Sequence, residues 1–192
     1  MTVTCSSAAI ASVLALAALG AGCTRSTPAP HASDPAPRIR VSVEGGCPAS
    51  LGTARDVHNS ATGLAHALVP RPAAVDGGLV CQYGLSQPGG PSDQPVLTRR
   101  TSLDAARARS LAAAAARIDL GRPGGTYHCP AQLFGAFTII VLRYQAGPDI
   151  DLWYNTSGCQ TIDNGEVRGY QAGNPSFYDT FQATYVTATM TR

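Results

Sequence analysis

Two neighbouring segments have the period-two pattern of antiparallel strands. In the first, four apolar side chains alternate with smaller or more polar ones: Leu79, Cys81, Tyr83 and Leu85. This pattern predicts a strand that begins after Gly77-Gly78 and turns Cys81 towards the interior. Residues 96–101 predict a second strand antiparallel to the first, and residues 86–95, rich in Pro, Gly and Ser, predict an exposed turn between them.

A second hairpin is predicted further along the chain. Phe137–Tyr144 is the most hydrophobic run outside the N-terminal region and predicts a central strand. Residues 145–148 (QAGP) predict a reversal, and alternation in Ile150–Asn155 predicts a half-buried hairpin partner. Asp163-Asn164-Gly165 predicts a further tight turn that requires positive φ.

The Ala-rich segment 104–120 predicts a helix. Thr101 and Asp104 stand in a capping-box-like relation at its start, and Gly121 and Pro123 stop it. Steps of three and four residues predict a narrow face that packs closely on a sheet: Ala108, Leu111, Ala112, Ala115 and Ile118.

Residues 176–190 fit two patterns. Phe177, Phe181 and Tyr185 follow a helical stripe, whereas Phe181, Ala183, Tyr185 and Thr187 alternate as in a strand. We favour the helix. The expected fold is therefore α+β, a mainly antiparallel sheet with one or two helices packed on a face and stapled by disulfides.

The N-terminal segment has the features of an export signal. Residues 1–24 carry no charged side chain, and the apolar run 8–22 is shorter than the roughly 20 residues of a membrane span. Leu19-Gly20-Ala21-Gly22-Cys23 resembles the bacterial lipobox, which implies cleavage before Cys23 and attachment of diacylglycerol to that residue. An ordinary cleaved signal and an uncleaved anchor remain as alternatives.

These features divide the chain into three parts. Residues 1–22 are expected to be a lipoprotein signal peptide. Residues 23–40, rich in Pro, Ala, Ser and Thr and without hydrophobic periodicity, are expected to form an extended tether. Residues 41–192 are long enough for one globular domain with its own core.

Composition excludes several classes of function. The chain is 44% hydrophobic and 14% charged with a formal net charge of +2, which argues against a polybasic nucleic-acid binder and against a disordered chain. All 14 basic residues are Arg, so chemistry that depends on a lysine is excluded. The use of Arg without any Lys also indicates a high-GC genome, as in actinobacteria.

Cys47, Cys81, Cys129 and Cys159 remain after export and lipidation of Cys23. An even number of cysteines outside the cytoplasm indicates disulfides, and four permit three connectivities. We favour 47 with 81 and 129 with 159. A zinc site is disfavoured because no CxxC pair exists, and no metal or cofactor is expected.

Motifs for catalysis are sparse, since GxSxG, SxxK and HExxH are all missing. Asp149 and Asp151 are expected to share one face of a strand, which suits a carboxylate pair or a calcium site, although solvated carboxylates are commoner. His58 and His66 are expected at the surface. Trp153 is expected to pack in the core rather than to form a sugar platform.

The predicted helix carries three arginines outside its packing face. Arg109 and Arg117 point to solvent, and Arg107 stands at the border. They are expected to form either a patch for anionic lipid or glycan or a merely solvated face, and we favour the solvated face.

A set of short motifs runs through most of the presumed domain: Cys47-Pro48, Leu68-Val69-Pro70, Val80-Cys81-Gln82-Tyr83, Cys129-Pro130, Arg143-Tyr144, Gly158-Cys159 and Asp163-Asn164-Gly165. This layout resembles exported actinobacterial proteins, including mycobacterial-type lipoproteins. The resemblance implies an envelope location and disulfides and contributes no catalytic residue.

We therefore expect a lipoprotein anchored at the extracytoplasmic face of the cell membrane. Its expected role is that of a non-catalytic binding or accessory module for an envelope protein, a glycan or a small ligand, with no nucleic acid involved. The alternative is a cell-envelope hydrolase that uses Asp149 or Asp151 in a site assembled from dispersed residues. A secreted form without lipid differs only at Cys23.

Overall fold

A computed structural model describes residues 40–41, 46–54, 56–85, 94–120, 137–170 and 175–189. These residues belong to one unit, Pro37–Arg192. The expected signal peptide, Cys23, most of the tether, the turn at 86–93, the helix stop at 121–124 and Cys129 lie outside the described residues.

The described elements are, in chain order, β1 (Arg40–Val41), β2 (Asp56–Val57), a 3-10 turn (Pro72–Ala74), β3 (Val75–Leu85), β4 (Pro95–Leu103), α1 (Ala105–Ala115), β5 (Phe137–Tyr144), β6 (Ile150–Asn155), β7 (Thr161–Asp163), β8 (Arg168–Tyr170) and α2 (Pro175–Thr189). The α+β class predicted from the sequence is confirmed.

Six strands form one antiparallel sheet in the order β4-β3-β5-β6-β7-β8, and β1 and β2 form a short parallel pair. The two predicted hairpin partners are found, β4 beside β3 and β6 beside β5. β5 is a central strand, as its apolar run predicts, because a strand covered on both faces needs apolar residues at every position.

One face of the sheet carries both helices. Val80, Ile140 and Leu152 point to this side and pack with Leu111 of α1 in a single apolar cluster. Tyr154 packs edge-on against two α2 rings, with centroids 5.2 Å from Phe177 and 5.1 Å from Phe181. Burial of these side chains is the main stabilising contribution on this face.

The opposite face is covered by the segment 46–57. Leu51 and Val57 pack with Leu79, Ile139 and Val141 in a second apolar cluster. The Cys47–Cys81 disulfide joins this segment to β3, which confirms the first pairing favoured from the sequence. The Tyr83 hydroxyl adds a hydrogen bond to the Pro48 carbonyl at 3.0 Å.

This covering corrects two predictions about strands. β6 is not half-buried, because Asp151 and Trp153, on the face away from the helices, are buried as well. β3 begins at Val75 rather than after the two glycines, because Gly77 and Gly78 pair with β5 in the middle of the sheet.

Both helices are found, with one correction at α1. Its N-cap is Asp104, whose carboxylate accepts a hydrogen bond from the Arg107 backbone N–H at 2.8 Å. Thr101 has no part in the cap because β4 continues to Leu103. The helix ends at Ala115, earlier than predicted, yet all five positions of the predicted packing face are buried.

The C-terminal segment is a helix, as favoured, with Phe177 and Phe181 buried. Within the described ranges no helix combines the length and the apolar character needed to cross a membrane.

Candidate functional site

A cavity of about 350 Å³ lies at one end of the sheet. Its walls come from the 3-10 turn, the start of β3, the end of β5 with the turn that follows, and α1. Three alanines and Val75 form the apolar part of the wall, and the polar side chains are Arg71, Asp76, Arg109, Tyr144 and Gln145. The volume is at the lower end of the range of ligand-binding pockets.

The strand register places the two edges of this cavity together. Val75 of β3 pairs with Tyr144 of β5, but the next pair is Gly77 with Arg143, so Asp76 is an extra residue in a β-bulge. Bulges of this kind break the regular alternation of a strand and re-aim a side chain. Asp76 is exposed and lines the cavity.

Tyr144 is the most buried polar residue of the lining. It is only 9% exposed, and its hydroxyl has no hydrogen-bond partner in the described parts of the chain. Burial raises the pKa of this hydroxyl above its ordinary value, Arg71 opposes the rise and Asp149 adds to it. A buried polar group without a partner is costly in free energy, so such a group needs an explanation.

Arg71 is held beside Tyr144 by a cation-π contact. Its guanidinium carbon lies 5.2 Å from the centroid of the Tyr144 ring. The guanidinium also lies next to the turn at Gly147, where an added Cβ would be 3.4 Å from Nη2. Arg71 stands between Pro70 and Pro72, whose rings restrict the backbone on either side.

Arg109 reaches the cavity from α1. The buried alanines of this helix are short, so the helix packs closely against β3 and the 3-10 turn, and Arg109 lies beside them on the exposed border. Arg117 is also exposed but does not line the cavity. Of the three arginines considered from the sequence, the structure brings only Arg109 to this site.

The cavity therefore carries unneutralised positive charge. Among the described residues, no ion pair joins Asp76 to Arg71 or to Arg109, and neither arginine has another acidic partner. Guanidinium groups present planar sets of donors that match oxyanions. A tyrosine hydroxyl can donate to the same group.

A second group of polar residues lies in the interior and stabilises the fold. The Asn59 amide bonds to the backbone of Asp151 and to the Asn164 carbonyl. The Asn164 amide donates to the carbonyls of Leu64, Ala67 and Leu68. These bonds connect loops to the sheet and leave the amides satisfied.

Asp163 lies beside this group and is also satisfied. Its carboxylate accepts from Arg168 Nε and from the Gly165 backbone N–H, both at 2.7 Å. Gly165 has a φ of +87°, which confirms the tight turn predicted there.

Asp149 and Asp151, considered from the sequence as a carboxylate pair or as solvated carboxylates, lie in different environments. Asp149 precedes β6 and is exposed, with an ion pair to Arg143 at 3.9 Å. Asp151 lies inside β6 and is buried, at 6% exposure. The expected shared strand face was wrong because β6 begins at Ile150. The favoured solvated carboxylate is found at Asp149, whereas Asp151 is buried.

The remaining residues considered from the sequence are two histidines, Trp153 and Cys159. His58 and His66 are exposed, and the described residues contain no group of three His, Cys, Asp or Glu able to hold a metal. Trp153 is 5% exposed and packs against Phe137, with centroids 5.3 Å apart, so the core interpretation is confirmed. Cys159 is disulfide-bonded, with its partner outside the described residues.

Sequence reasoning missed Arg71, Asp76 and Tyr144 as site residues. The single local signal is the Pro-Arg-Pro sequence at 70–72. Comparison of the chain with protein-family models, with curated proteins and with solved structures finds no match.

Proposed function

We propose that this protein is a lipid-anchored module of the cell envelope that binds a small ligand in the cavity lined by Arg71, Arg109 and Tyr144, without transforming it. The lipid on Cys23 holds the module at the outer face of the cell membrane, and the Pro-rich segment after it acts as a tether. One domain carries the cavity.

Two observations support export. The lipobox-like sequence ends at Cys23, and the domain contains the Cys47–Cys81 disulfide, with Cys159 disulfide-bonded as well. Disulfides are rare in cytosolic proteins and common in exported ones.

The observation that carries the binding role is a set of hydrogen-bond donors in one cavity without acidic partners among the described residues. Tyr144 has a buried hydroxyl without a partner, and the two arginines beside it have no acidic partner among the described residues. A ligand that supplies acceptor atoms satisfies all three groups. Arginine and tyrosine are residues that bind and orient a ligand, which is why binding is proposed rather than chemistry.

The anchor is tested by the intact mass of the full-length chain expressed in an actinobacterial host. We expect the membrane fraction to contain residues 23–192 with diacylglycerol and no free thiol in the domain. Cys23→Ala is expected to abolish incorporation of labelled palmitate and to release the mature protein from the membrane fraction.

Cys5→Ala is the matched control, since it removes a cysteine ahead of the cleavage site and is expected to change neither label nor mass. A Cys23→Ala chain that keeps both its label and its membrane attachment contradicts the proposed anchor.

A further inference from the structure

We infer that the ligand of the cavity carries a phosphoryl group, bound by Arg71, Arg109 and the Tyr144 hydroxyl. This inference rests on the proposed binding function and names the class of ligand for the same site. It does not depend on the lipid anchor.

The first argument is charge. Arg71 and Arg109 line one cavity and, within the described residues, neither is neutralised by an acidic side chain. The cavity also contains Asp76, which is more than a salt-bridge distance from both guanidiniums because no ion pair joins them. With Asp76 counted, the lining carries a formal charge of +1, which favours an anionic ligand, and a phosphoryl group can accept hydrogen bonds from both guanidinium groups at once.

The second argument is the number of acceptor atoms. The three donor groups are two guanidinium forks and one hydroxyl, and a phosphoryl group offers three strong acceptor oxygens. The Tyr144 hydroxyl is buried and has no protein partner among the described residues, so a hydrogen bond to the ligand offsets the free-energy cost of its burial. A phosphoryl group offers each of the three donor groups its own oxygen, whereas a carboxylate shares two oxygens among them.

The third argument is that one of the donors is already positioned. The Arg71 side chain is restricted on two sides. The Tyr144 ring lies against its guanidinium, and the turn at Gly147 lies beside it. Binding to a restricted side chain costs less conformational entropy than binding to a free one.

Asp76 and the volume of the cavity indicate the chemistry of the rest of the ligand. A carboxylate repels a phosphoryl group but accepts hydrogen bonds from hydroxyl groups, and Asp76 is exposed to the cavity. A cavity of about 350 Å³ admits only a small molecule. A phosphomonoester of a polyol or sugar meets both conditions, whether it is a soluble compound or the terminal phosphate of a lipid.

The test is calorimetric titration of the full-length chain in a non-ionic detergent with inorganic phosphate and with sn-glycerol 3-phosphate. We expect saturable binding at millimolar concentration or below, with glycerol 3-phosphate bound more tightly. Arg109→Gln is expected to weaken binding by roughly tenfold or more, the usual loss for one charge-assisted hydrogen bond. Tyr144→Phe is expected to weaken it several-fold without lowering the thermal midpoint.

Arg117→Gln is the matched control, because it removes the same charge from an exposed arginine just after the same helix and outside the cavity. Binding that is equal in Arg109→Gln, Tyr144→Phe and Arg117→Gln overturns the site. Acetate bound as tightly as phosphate overturns the class of ligand, and no binding of either phosphate compound in detergent or in phosphatidylcholine vesicles overturns the inference.

Reconstitution distinguishes the two sources of the phosphoryl group. In phosphatidylcholine vesicles, glycerol 3-phosphate binds as in detergent if the ligand is soluble. Added phosphatidic acid, whose phosphate is a monoester, lowers the apparent affinity if a lipid phosphate occupies the cavity. The anchor fails separately from the ligand. A Cys23→Ala chain that keeps both its palmitate label and its membrane attachment and binds phosphate overturns only the anchor. A lipidated chain that binds neither compound overturns only the ligand.

Discussion

The side-chain amide of Asn59 takes the place of a neighbouring strand for the backbone of Asp151. Its Oδ1 accepts from the Asp151 N–H at 2.7 Å, and its Nδ2 donates to the Asp151 carbonyl at 2.9 Å. Of the residues of β6, only Trp153 and Tyr154 pair with β7. Asn59 therefore continues the hydrogen bonding along this edge of β6 beyond the point where β7 stops. A single side chain thus joins the segment after β2 to the central sheet.

Asn59→Ala is expected to lower the free energy of unfolding by about 2 to 4 kcal/mol, because it removes three hydrogen bonds and leaves backbone groups of β6 without partners. The measurement is urea unfolding followed by the fluorescence of Trp153, the one tryptophan of the chain. His58→Ala, at the exposed neighbouring position, is the control and is expected to stay within about 0.5 kcal/mol of the parent. Equal stabilities of the two variants contradict this role for Asn59.

Tyr83 and Tyr144, both buried, are expected to respond oppositely to loss of the hydroxyl. Tyr83→Phe removes the hydrogen bond to Pro48 and is expected to cost about 1 kcal/mol. Tyr144→Phe removes a hydroxyl with no partner among the described residues and is expected to be neutral or stabilising. Urea midpoints of the ligand-free variants check the order, and a larger loss for Tyr144→Phe contradicts it.

The same two tyrosines predict loss of stability in alkali. Burial raises the pKa of Tyr83 in the folded protein, and the nearby charge of Asp151 raises it further; burial also raises that of Tyr144. The unfolded chain therefore releases these protons first, so stability is complete below pH 10.0, the ordinary value, and falls as the pH rises above it.

Unfolding free energies measured between about pH 9 and pH 11 should show this fall. Each single Phe variant is expected to flatten the fall, and the double variant to flatten it most. A double variant that keeps the full alkaline slope of the parent shows that other groups cause it.

Gly78 is expected to tolerate no side chain. A Cβ at this position would collide with the Val141 carbonyl of the paired strand, so the backbone must move. Gly78→Ala is expected to cost about 1 to 3 kcal/mol. Gly77→Ala is the matched control, since its Cβ would lie 3.4 Å from the Leu103 carbonyl, an ordinary contact, and its effect is expected below about 1 kcal/mol. Equal losses in the two variants contradict the close approach of β3 and β5.

The Cys47–Cys81 disulfide closes a sequence separation of 34 residues. Replacing both cysteines with serine is expected to lower the free energy of unfolding by roughly 3 to 4 kcal/mol, because the unfolded chain regains the freedom of that loop. Urea unfolding without reductant measures the loss. Cys5→Ser, ahead of the proposed cleavage site, serves as the control. A double variant as stable as this control contradicts a stabilising role for the disulfide.

The sequence alone predicted the elements whose signal is local. The apolar run Phe137–Tyr144 identified the central strand, and the spacing of Ala108, Leu111 and Ile118 identified the buried face of α1. The turn at Gly165 followed from residues that accept positive φ. In each case the residues of one short segment determine its secondary structure, so the pattern is visible in the sequence of that segment.

Only the tertiary structure decided which surfaces are covered and which residues meet. Segment 46–57 covers the second face of the sheet, so β6 is buried on both faces, Asp151 included, although its alternation predicted a half-buried strand. Arg71, Arg109 and Tyr144 are far apart in sequence and share a cavity because Val75 pairs with Tyr144 and α1 packs beside them. Contacts between distant segments depend on register and packing, which leave no periodic signal in either segment.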